Sequence, residues 1–275
     1  MAKTKIEWAT DSSNIIVGCE KCSDGCKHCY AERMALRLAA MGQVKYKAVT
    51  NGKGWNGKLF FDKDTLDSIE KHKKPRRFFV NSMGDTFHDN ADLQWIAQIL
   101  SVAAQNPQHV FIILTKRAKR MHEYFKLAAR PPRNVWCGVT VVNQDEANEK
   151  IPLLMQVPAA VRFISVEPML GEIDLTDIID EETEQYEDHI NAPVLRRVPE
   201  DDLKYHGKTI NWVICGSESG PNRRPAEIEW IRSLRDQCKV YDVPFMLKQM
   251  EVDGKLVKMP TLDGVIHDEH PVIKG

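Results

Sequence analysis

Four of the seven cysteines lie within a single short segment of the chain, at Cys19, Cys22, Cys26 and Cys29. This run has neither helical nor strand periodicity, so the four side chains cannot all belong to one buried face. Gly18 and Gly25 leave the backbone free to wrap the thiols around one centre. The segment is therefore predicted to be a metal-binding loop, and its spacing must indicate which metal.

Composition limits the class of protein. The chain has 275 residues, of which 43% are hydrophobic and 28% charged, as expected for a soluble protein of one large α/β barrel or two ordinary domains. Its formal net charge of -1 gives no overall attraction to nucleic acid. Residues 1–8 contain no apolar leader, and no apolar run is long enough to span a bilayer. We therefore expect a cytoplasmic protein without a membrane partner, in which clustered cysteines bind metal rather than form disulfides.

Short apolar runs alternate with helical patterns along the chain, as in a parallel sheet whose strands are buried on both faces. The predicted strands are residues 14–17, 77–81, 109–114, 134–139, 161–166, 211–215 and 244–247. The predicted helices are residues 31–41, 92–105 and 225–240. This order predicts one α/β domain over residues 1–275, with a full or partial barrel. The acidic, weakly patterned residues 174–208 are predicted to be an inserted loop or subdomain.

Polar residues follow the predicted strands, where an α/β barrel binds its ligands. They are Ser82, Gly84, Asp85, Thr115, Lys116, Thr140, Ser165, Glu167, Gly216, Ser217 and Glu218. Because the cysteine loop follows the first predicted strand, all are expected to converge on one mouth. Structural explanations compete: Asp85 could cap a helix, Glu167 could form a turn, and Cys215 could be a small buried hydrophobe.

Two metal centres compete for the cysteine loop. Two Cys-x-x-Cys pairs suit tetrahedral zinc, although zinc ribbons usually separate their pairs by a dozen residues or more. Here only residues 23–25 lie between the pairs. Short successive gaps are typical of loops around an iron-sulfur cluster, so iron-sulfur is favoured over structural zinc.

The Cys22-x-x-x-Cys26-x-x-Cys29 spacing resembles that of the radical S-adenosylmethionine enzymes. This resemblance implies a partial (β/α)6 TIM-like barrel, a [4Fe-4S] cluster bound by three cysteines, and S-adenosylmethionine bound to the cluster. It also implies that His28 packs near adenine. Residues 82–85 stand where the superfamily places an element that contacts the methionine amino group, and Asp85 would be its charge partner.

The whole chain resembles a phage-associated family of radical-SAM-like proteins of unassigned function. The resemblance covers Gly18-Cys19, Gly25-Cys26, Cys29-Tyr30-Ala31, residues 82–85, 114–117, 165–170, 216–220 and 245–249. Members often have Trp-Asn-Pro where this chain has Ser13-Asn14-Ile15, and a residue other than cysteine at the place of Cys22. The third cluster ligand is therefore either Cys19 or Cys22.

The resemblance implies a 5'-deoxyadenosyl radical that removes hydrogen from a substrate, with flavodoxin or ferredoxin as electron donor. Cys215, Lys116 and Glu218 are the predicted catalytic residues, and Cys215 could donate a hydrogen atom. The predicted cofactor-binding residues are His28, Tyr30, Ser82, Gly84, Asp85, Thr115, Thr140, Ser165, Glu167, Gly216 and Ser217. The substrate is predicted to be a nucleobase, a nucleotide or phage DNA, and the location to be the host cytoplasm if the chain is phage-encoded. The alternative is a non-catalytic, zinc-stabilised binding module in a phage or host complex.

Overall fold

The structure, a computed structural model, describes residues 2–4, 6–128, 130–178 and 209–271. The chain divides into two compact units, Met1–Cys137 and Gly138–Gly275. Most of the predicted acidic insertion, residues 179–208, lies outside the described residues.

The strands of the first unit are mainly parallel. Strand β1 (Ala2–Lys3) pairs antiparallel with β2 (Asp11–Ser13), and β2 pairs parallel with a later strand, β5 (Arg77–Val80). Strand β5 in turn pairs parallel with β6 (Val110–Thr115). A separate antiparallel pair consists of β3 (Ile16–Val17) and β4 (Phe60–Phe61). The helices of this unit are α1 (Tyr30–Ala40), α2 (Val44–Val49), α3 (Lys63–Asp67), α4 (Leu93–Gln105) and α5 (Ala118–Leu127), with 3-10 turns at Asp24–Cys26 and Ile69–Lys71.

Apolar side chains explain why these elements form. Phe78 and Phe111 lie opposite each other on β5 and β6 and are fully buried, which removes a large apolar area from water. Helix α4 begins after Asp92, whose carboxylate accepts the backbone N–H of Gln94 at 2.8 Å. Its buried face places Ile96, Ile99 and Ala103 at helical spacing.

The second unit repeats the alternation of strand and helix. Strand β7 (Val135–Thr140) contains the boundary between the units and is followed by α6 (Gln144–Met155) and β8 (Val161–Val166). Strand β9 (Trp212–Gly216) pairs parallel with β8 and with β10 (Phe245–Val252), and α7 (Ile228–Val240) connects β9 to β10. Strand β11 (Lys255–Lys258) pairs antiparallel with β10, and a last hairpin comprises β12 (Thr261–Leu262) and β13 (Val265–Ile266).

The prediction of an α/β fold with mostly parallel strands is confirmed. The helix expected at 225–240 begins only at Ile228, after Glu227 in extended backbone. None of the helices in the described ranges combines the length and apolar composition needed to cross a bilayer.

The predicted first strand, residues 14–17, is confirmed only at Ile16–Val17, and that strand pairs with β4 rather than with β5. The strand that pairs with β5 is Asp11–Ser13, and the chain then leaves it so that Ile16–Val17 pairs with β4. The cause is Asn81, whose side-chain oxygen accepts the backbone N–H groups of Ile15 and Ile16 at 2.9 and 2.8 Å. These two backbone N–H groups are therefore already hydrogen-bonded and do not require a bond to the neighbouring strand β5.

Candidate functional site

The cysteine loop begins at a backbone conformation that only glycine adopts easily. Gly18 has φ +104°, and a Cβ there would lie 2.3 Å from the carbonyl oxygen of Lys58. Its N–H donates to the carbonyl oxygen of Met83 at 3.2 Å. The chain then turns through the 3-10 turn Asp24–Cys26, where the Ser23 hydroxyl accepts the N–H of Gly25 at 3.1 Å. Local turn chemistry thus folds the loop back before α1 begins.

The thiols of Cys22 and Cys26 are hydrogen-bonded to each other, whereas those of Cys19 and Cys29 interact only through charge. The Cys22 thiol donates a hydrogen bond to Cys26, which lowers the pKa of Cys26 to about 5 and raises that of Cys22. Cys19 is near enough to Cys29 for their charges to interact, and all four are free cysteines. Burial, followed by the negative charge of Asp85, raises the pKa of Cys19 to about 12. Within the described residues, no three His, Cys, Asp or Glu side chains are placed to hold a metal ion. A metal centre here therefore requires the two pairs to close on one another.

Residues 82–85, which follow β5, pack against the start of the cysteine loop. Gly84 faces the carbonyl oxygen of Ile16 so closely that a Cβ would lie 2.4 Å from it. The Ser82 hydroxyl donates to the Asn14 side chain at 3.0 Å, and the Ser82 carbonyl accepts from the Tyr30 hydroxyl at 2.8 Å. The structure thus brings together the predicted site residues Tyr30, Ser82 and Gly84.

Asp85 is buried and its carboxylate is fully engaged by the protein. One oxygen accepts from the backbone N–H of Phe87 at 2.9 Å and from the Thr115 hydroxyl at 2.7 Å. The other accepts from the backbone N–H of Lys116 and from Arg117 Nη1, both at 3.2 Å. Four donors fill the hydrogen-bonding capacity of a carboxylate. A ligand ammonium group would have to displace one of these donors to contact Asp85.

Arg117 connects this carboxylate to the cysteine loop. Besides Asp85, its guanidinium contacts Asp89 at 3.0 Å, the carbonyl oxygen of Glu20 at 3.5 Å and the sulfur of Cys19 at 3.9 Å. Burial lowers the pKa of Arg117, but the negative charges of Asp85 and of the nearby cysteines raise it by more. A fixed positive charge therefore lies beside the Cys19 sulfur.

Two further groups complete the surroundings of the loop. The pKa of Cys26 is lowered first by the hydrogen bond from Cys22 and further by the positive charge of Lys116. His88 is fully buried, with Nε2 3.9 Å from a Glu20 carboxylate oxygen, and burial followed by the charge of Arg117 lowers its pKa. His28 is half-buried on the loop itself.

The sequence placed Arg117 and Asp89 only among the polar residues that follow predicted strands, and it did not identify Glu20. Arg117 stands two residues after the end of β6, and that position was the available signal. Nothing in the sequence spacing indicated Glu20, because its role depends on how two loops meet.

Several predicted residues of the second unit form a polar group. Lys248 pairs with Glu167 at 2.9 Å, and the other carboxylate oxygen of Glu167 accepts from the Ser165 hydroxyl at 3.2 Å. Gly216 leaves room for this pair, since a Cβ there would lie 2.5 Å from Glu167 Oε1. The pairing of β10 with β9 shifts register between Leu247 and Gln249, as at a β-bulge that redirects a side chain.

A second ion pair of this unit is buried at the end of β9. The carboxylate of Glu218 accepts hydrogen bonds from the backbone N–H of Arg224 at 2.9 Å and from the Arg224 guanidinium. The hydroxyl of Ser217 is buried and has no hydrogen-bond partner among the described residues. The Gln249 amide instead donates to the Ser217 carbonyl oxygen at 2.8 Å. This orphaned hydroxyl is a group that a polar ligand could satisfy.

Two predicted site residues, Cys215 and Thr140, are buried in the interior of the second unit. Cys215 is fully buried, its sulfur is 3.8 Å from that of Met169, and burial followed by the charge of Glu167 raises its pKa. Thr140 is buried at the end of β7, and its carbonyl oxygen accepts from Lys150 at 3.5 Å. In this conformation Cys215 is closed to a substrate, which agrees with the competing reading of Cys215 as a buried hydrophobe.

Comparison with known proteins places the chain in a family without assigning it an activity. A search of curated proteins returned no match, and a search of solved structures returned none. A family model matches residues 3–271, which is nearly the whole chain. The chain therefore belongs to the family described as "Protein of unknown function (DUF5131)".

Proposed function

We propose that this protein is a radical S-adenosylmethionine enzyme whose cysteine loop holds a [4Fe-4S] cluster. The observation that carries the proposal is the packing of the four-cysteine loop against Asp85 and Arg117, which follow the parallel strands β5 and β6. Thiolate ligands carry negative charge, and Arg117 and Lys116 are cations beside them. The donor set thus fits a thiolate-bound cluster once the two thiol pairs close.

In this proposal the cluster ligands are Cys19, Cys26 and Cys29, and Cys22 is the spare thiol. The Cys19 sulfur lies 3.9 Å from Arg117 Nη1, and this positive charge would offset part of the negative charge of a metal-bound thiolate. Cys22 is exposed to solvent. The iron that is not held by cysteine would then bind S-adenosylmethionine.

When bound, the cluster and S-adenosylmethionine supply a 5'-deoxyadenosyl radical, and the protein supplies orientation and exclusion of water. Asp85 holds Arg117 and the Lys116 amide in place rather than reaching the ligand. Ser82, Gly84, Tyr30, His28 and Thr115 form the surroundings of the cofactor in the first unit. Glu167, Ser217 and Glu218 in the second unit are proposed to bind polar groups of the cofactor or substrate. The fold proposed with this function is a partial (β/α)6 TIM-like barrel, and the proposed substrate is a nucleobase, a nucleotide or phage DNA.

The test is anaerobic reconstitution of the whole chain with iron and sulfide, followed by S-adenosylmethionine and dithionite. We expect brown protein with four irons per chain as for a [4Fe-4S] cluster, and formation of 5'-deoxyadenosine. Cys19→Ser and Cys26→Ser should each lose the cluster, whereas Cys22→Ser should keep it. A fully clustered, reduced protein that forms no 5'-deoxyadenosine would refute radical chemistry.

The second candidate is a non-catalytic, zinc-stabilised binding module. It is favoured by the number of thiols, because the four cysteines of the loop match the four ligands of structural zinc. Metal analysis of the purified protein separates the two candidates. Colourless protein with one zinc per chain, lost in Cys22→Ser, would support the module.

A further inference from the structure

His88 is a fully buried histidine of the first unit whose ring has an unused hydrogen-bond donor. Its Nδ1 accepts the backbone N–H of Asn90 at 3.1 Å. An imidazole that accepts at one nitrogen carries its proton on the other, so Nε2 is the donor. Nε2 has no hydrogen-bond partner in the part of the chain that the structure describes. Because almost all buried polar atoms are hydrogen-bonded, this N–H requires an explanation.

The ring of His88 is held in place, so its unused donor has a fixed direction. The backbone N–H of His88 donates to the carbonyl oxygen of Asp85 at 3.2 Å, and the carbonyl oxygen of His88 accepts from Ala91 at 2.8 Å. Together with the bond from Asn90, these contacts fix the residue in the segment between β5 and α4. A donor held in this way is satisfied only by an acceptor that moves to it.

An acceptor on the cysteine loop lies just outside hydrogen-bond range of Nε2. It is the carboxylate of Glu20, the residue that follows Cys19, and its Oε1 is 3.9 Å from Nε2. This distance is about 1 Å longer than an ordinary N–H···O hydrogen bond. The Glu20 side chain is 49% exposed, and exposed side chains change rotamer readily. The carboxylate can therefore reach the buried donor by a small movement.

Arg117 makes similarly long contacts with the same segment. Its Nη2 is 3.5 Å from the carbonyl oxygen of Glu20, whereas hydrogen bonds between nitrogen and oxygen usually measure about 2.7–3.2 Å. Residues 19–20 thus lie opposite two buried donors, His88 and Arg117, without closing fully on either. Because no three His, Cys, Asp or Glu side chains of the described residues are placed to hold a metal ion, metal binding requires the loop to move.

We propose that His88 is a positioning residue that holds the cysteine loop in its metal-bound conformation. When the thiols close around a metal centre, residues 19–20 move onto the two buried donors, and His88 Nε2–H donates to the Glu20 carboxylate. The inference rests on the proposed function, because it needs a metal centre in this loop. His88 acts through Glu20 and does not contact the metal. Hydrogen-bond partners behind the ligands orient a metal site, and their loss usually lowers metal affinity about 10–100-fold.

Two substitutions separate the roles of the two ring nitrogens. His88→Asn keeps an acceptor for the Asn90 N–H and loses the donor at Nε2, whereas His88→Gln places an amide N–H near the position of Nε2. Each whole chain is reconstituted anaerobically with iron and sulfide, and absorbance records the loss of the cluster to an iron chelator. We expect this loss to be about tenfold faster in His88→Asn and close to the wild-type rate in His88→Gln. His122→Asn, at a half-buried histidine on α5, is the control and should leave the rate unchanged.

Glu20 provides the second half of the experiment at an exposed position. Glu20→Ala removes the acceptor and should speed the loss of the cluster as much as His88→Asn does. The double variant should be no faster than either single variant, because both changes remove the same contact. Additive effects, equal rates in all the chains, or fast loss in His88→Gln with normal loss in His88→Asn would each overturn the inference. Should a His88 variant fail to fold, the rate of Glu20→Ala decides alone.

Binding of Co²⁺ separates failure of this inference from failure of the proposed function. Co²⁺ binds thiolates without assembly of a cluster, and its absorbance gives an affinity for each chain. Suppose that no chain assembles a cluster, but that Co²⁺ binds about tenfold more weakly to His88→Asn and Glu20→Ala than to the wild type and His88→Gln. That result would reject the proposed function and support the role of His88. A chain that binds neither iron nor Co²⁺ would overturn both.

Discussion

At the scale of single residues, Arg117 and Asp85 carry most of the organisation of the candidate site. Both are buried, and their ion pair is supported by further hydrogen bonds to Thr115 and Asp89. A buried charge is tolerated when it is paired and hydrogen-bonded, and it becomes costly when its partner is removed. The pair therefore fixes the position of the Cys19 sulfur relative to a permanent positive charge.

Replacing Arg117→Gln should destabilise the protein strongly. Asp85 would lose its charge partner while remaining buried, and breaking a buried pair costs about 3–5 kcal/mol. The free energy of unfolding from urea denaturation measures the loss. Arg130→Gln, at an exposed position, should change it by less than about 0.5 kcal/mol. An equally small effect at Arg117 would show that the ion pair does not hold the loop.

At the scale of elements, the site depends on a close approach of two loops. Gly18 and Gly84 form an isolated bridge, and the N–H of Gly18 bonds to the loop that follows β5. Asn81, with φ +61°, turns the chain at the end of β5 and binds the backbone that leads into the cysteine loop. The cysteine loop is thus attached to the sheet by backbone contacts rather than by its own strand.

Gly84→Ala should destabilise this junction by about 1–3 kcal/mol, the usual cost of overpacking. The added methyl group would lie 2.4 Å from the Ile16 carbonyl oxygen, and backbone can move aside only if the bridge opens. The free energy of unfolding measured by urea denaturation and the iron content after reconstitution should both fall. The control is Gly171→Ala, where a Cβ would meet only ordinary contacts from 3.5 Å outward. Equal stability of the two variants would contradict the close-approach argument.

At the scale of the whole molecule, the chain has two units, and each unit has its own polar group at strand ends. The cysteine loop with Asp85 and Arg117 belongs to the first, and the ion pairs of Glu167 and Glu218 belong to the second. The proposed metal centre therefore belongs to the first unit.

Removing the metal centre should destabilise the whole protein. A ligand that binds only the folded state adds stability of about 4 kcal/mol at a thousandfold excess over its Kd. At about 2–4 °C per kcal/mol, anaerobically loaded protein should melt roughly 8–16 °C above the protein stripped with a chelator. Calorimetry under anaerobic conditions measures the difference, and Cys26→Ser should abolish it. An unchanged Tm on loading would mean that iron binds without engaging the folded loop.

Much of this architecture was predictable from the sequence, because the patterns that indicate strands and helices lie within each element. Continuous apolar runs predicted β5, β6, β8 and β9 to within a residue or two, because burial on both faces leaves a pattern within each strand. Asp92 and Gly18 show the same principle at single positions, one as a helix cap and the other as a turn glycine. The cysteine spacing predicts a metal-binding loop, and this stays a prediction because no three His, Cys, Asp or Glu side chains of the described residues are placed to hold a metal ion.

What only the tertiary structure decided is which side chains face one another. The departure of residues 14–17 from the main sheet follows from Asn81, more than sixty residues away in sequence. The engagement of Asp85 by four donors, and the meeting of Arg117 with Cys19, likewise depend on long-range packing of separate loops. The sequence by itself determined the kinds of elements and their order along the chain. Their partners were decided by the fold, because hydrogen bonds and ion pairs between distant segments leave no periodic signal in the chain.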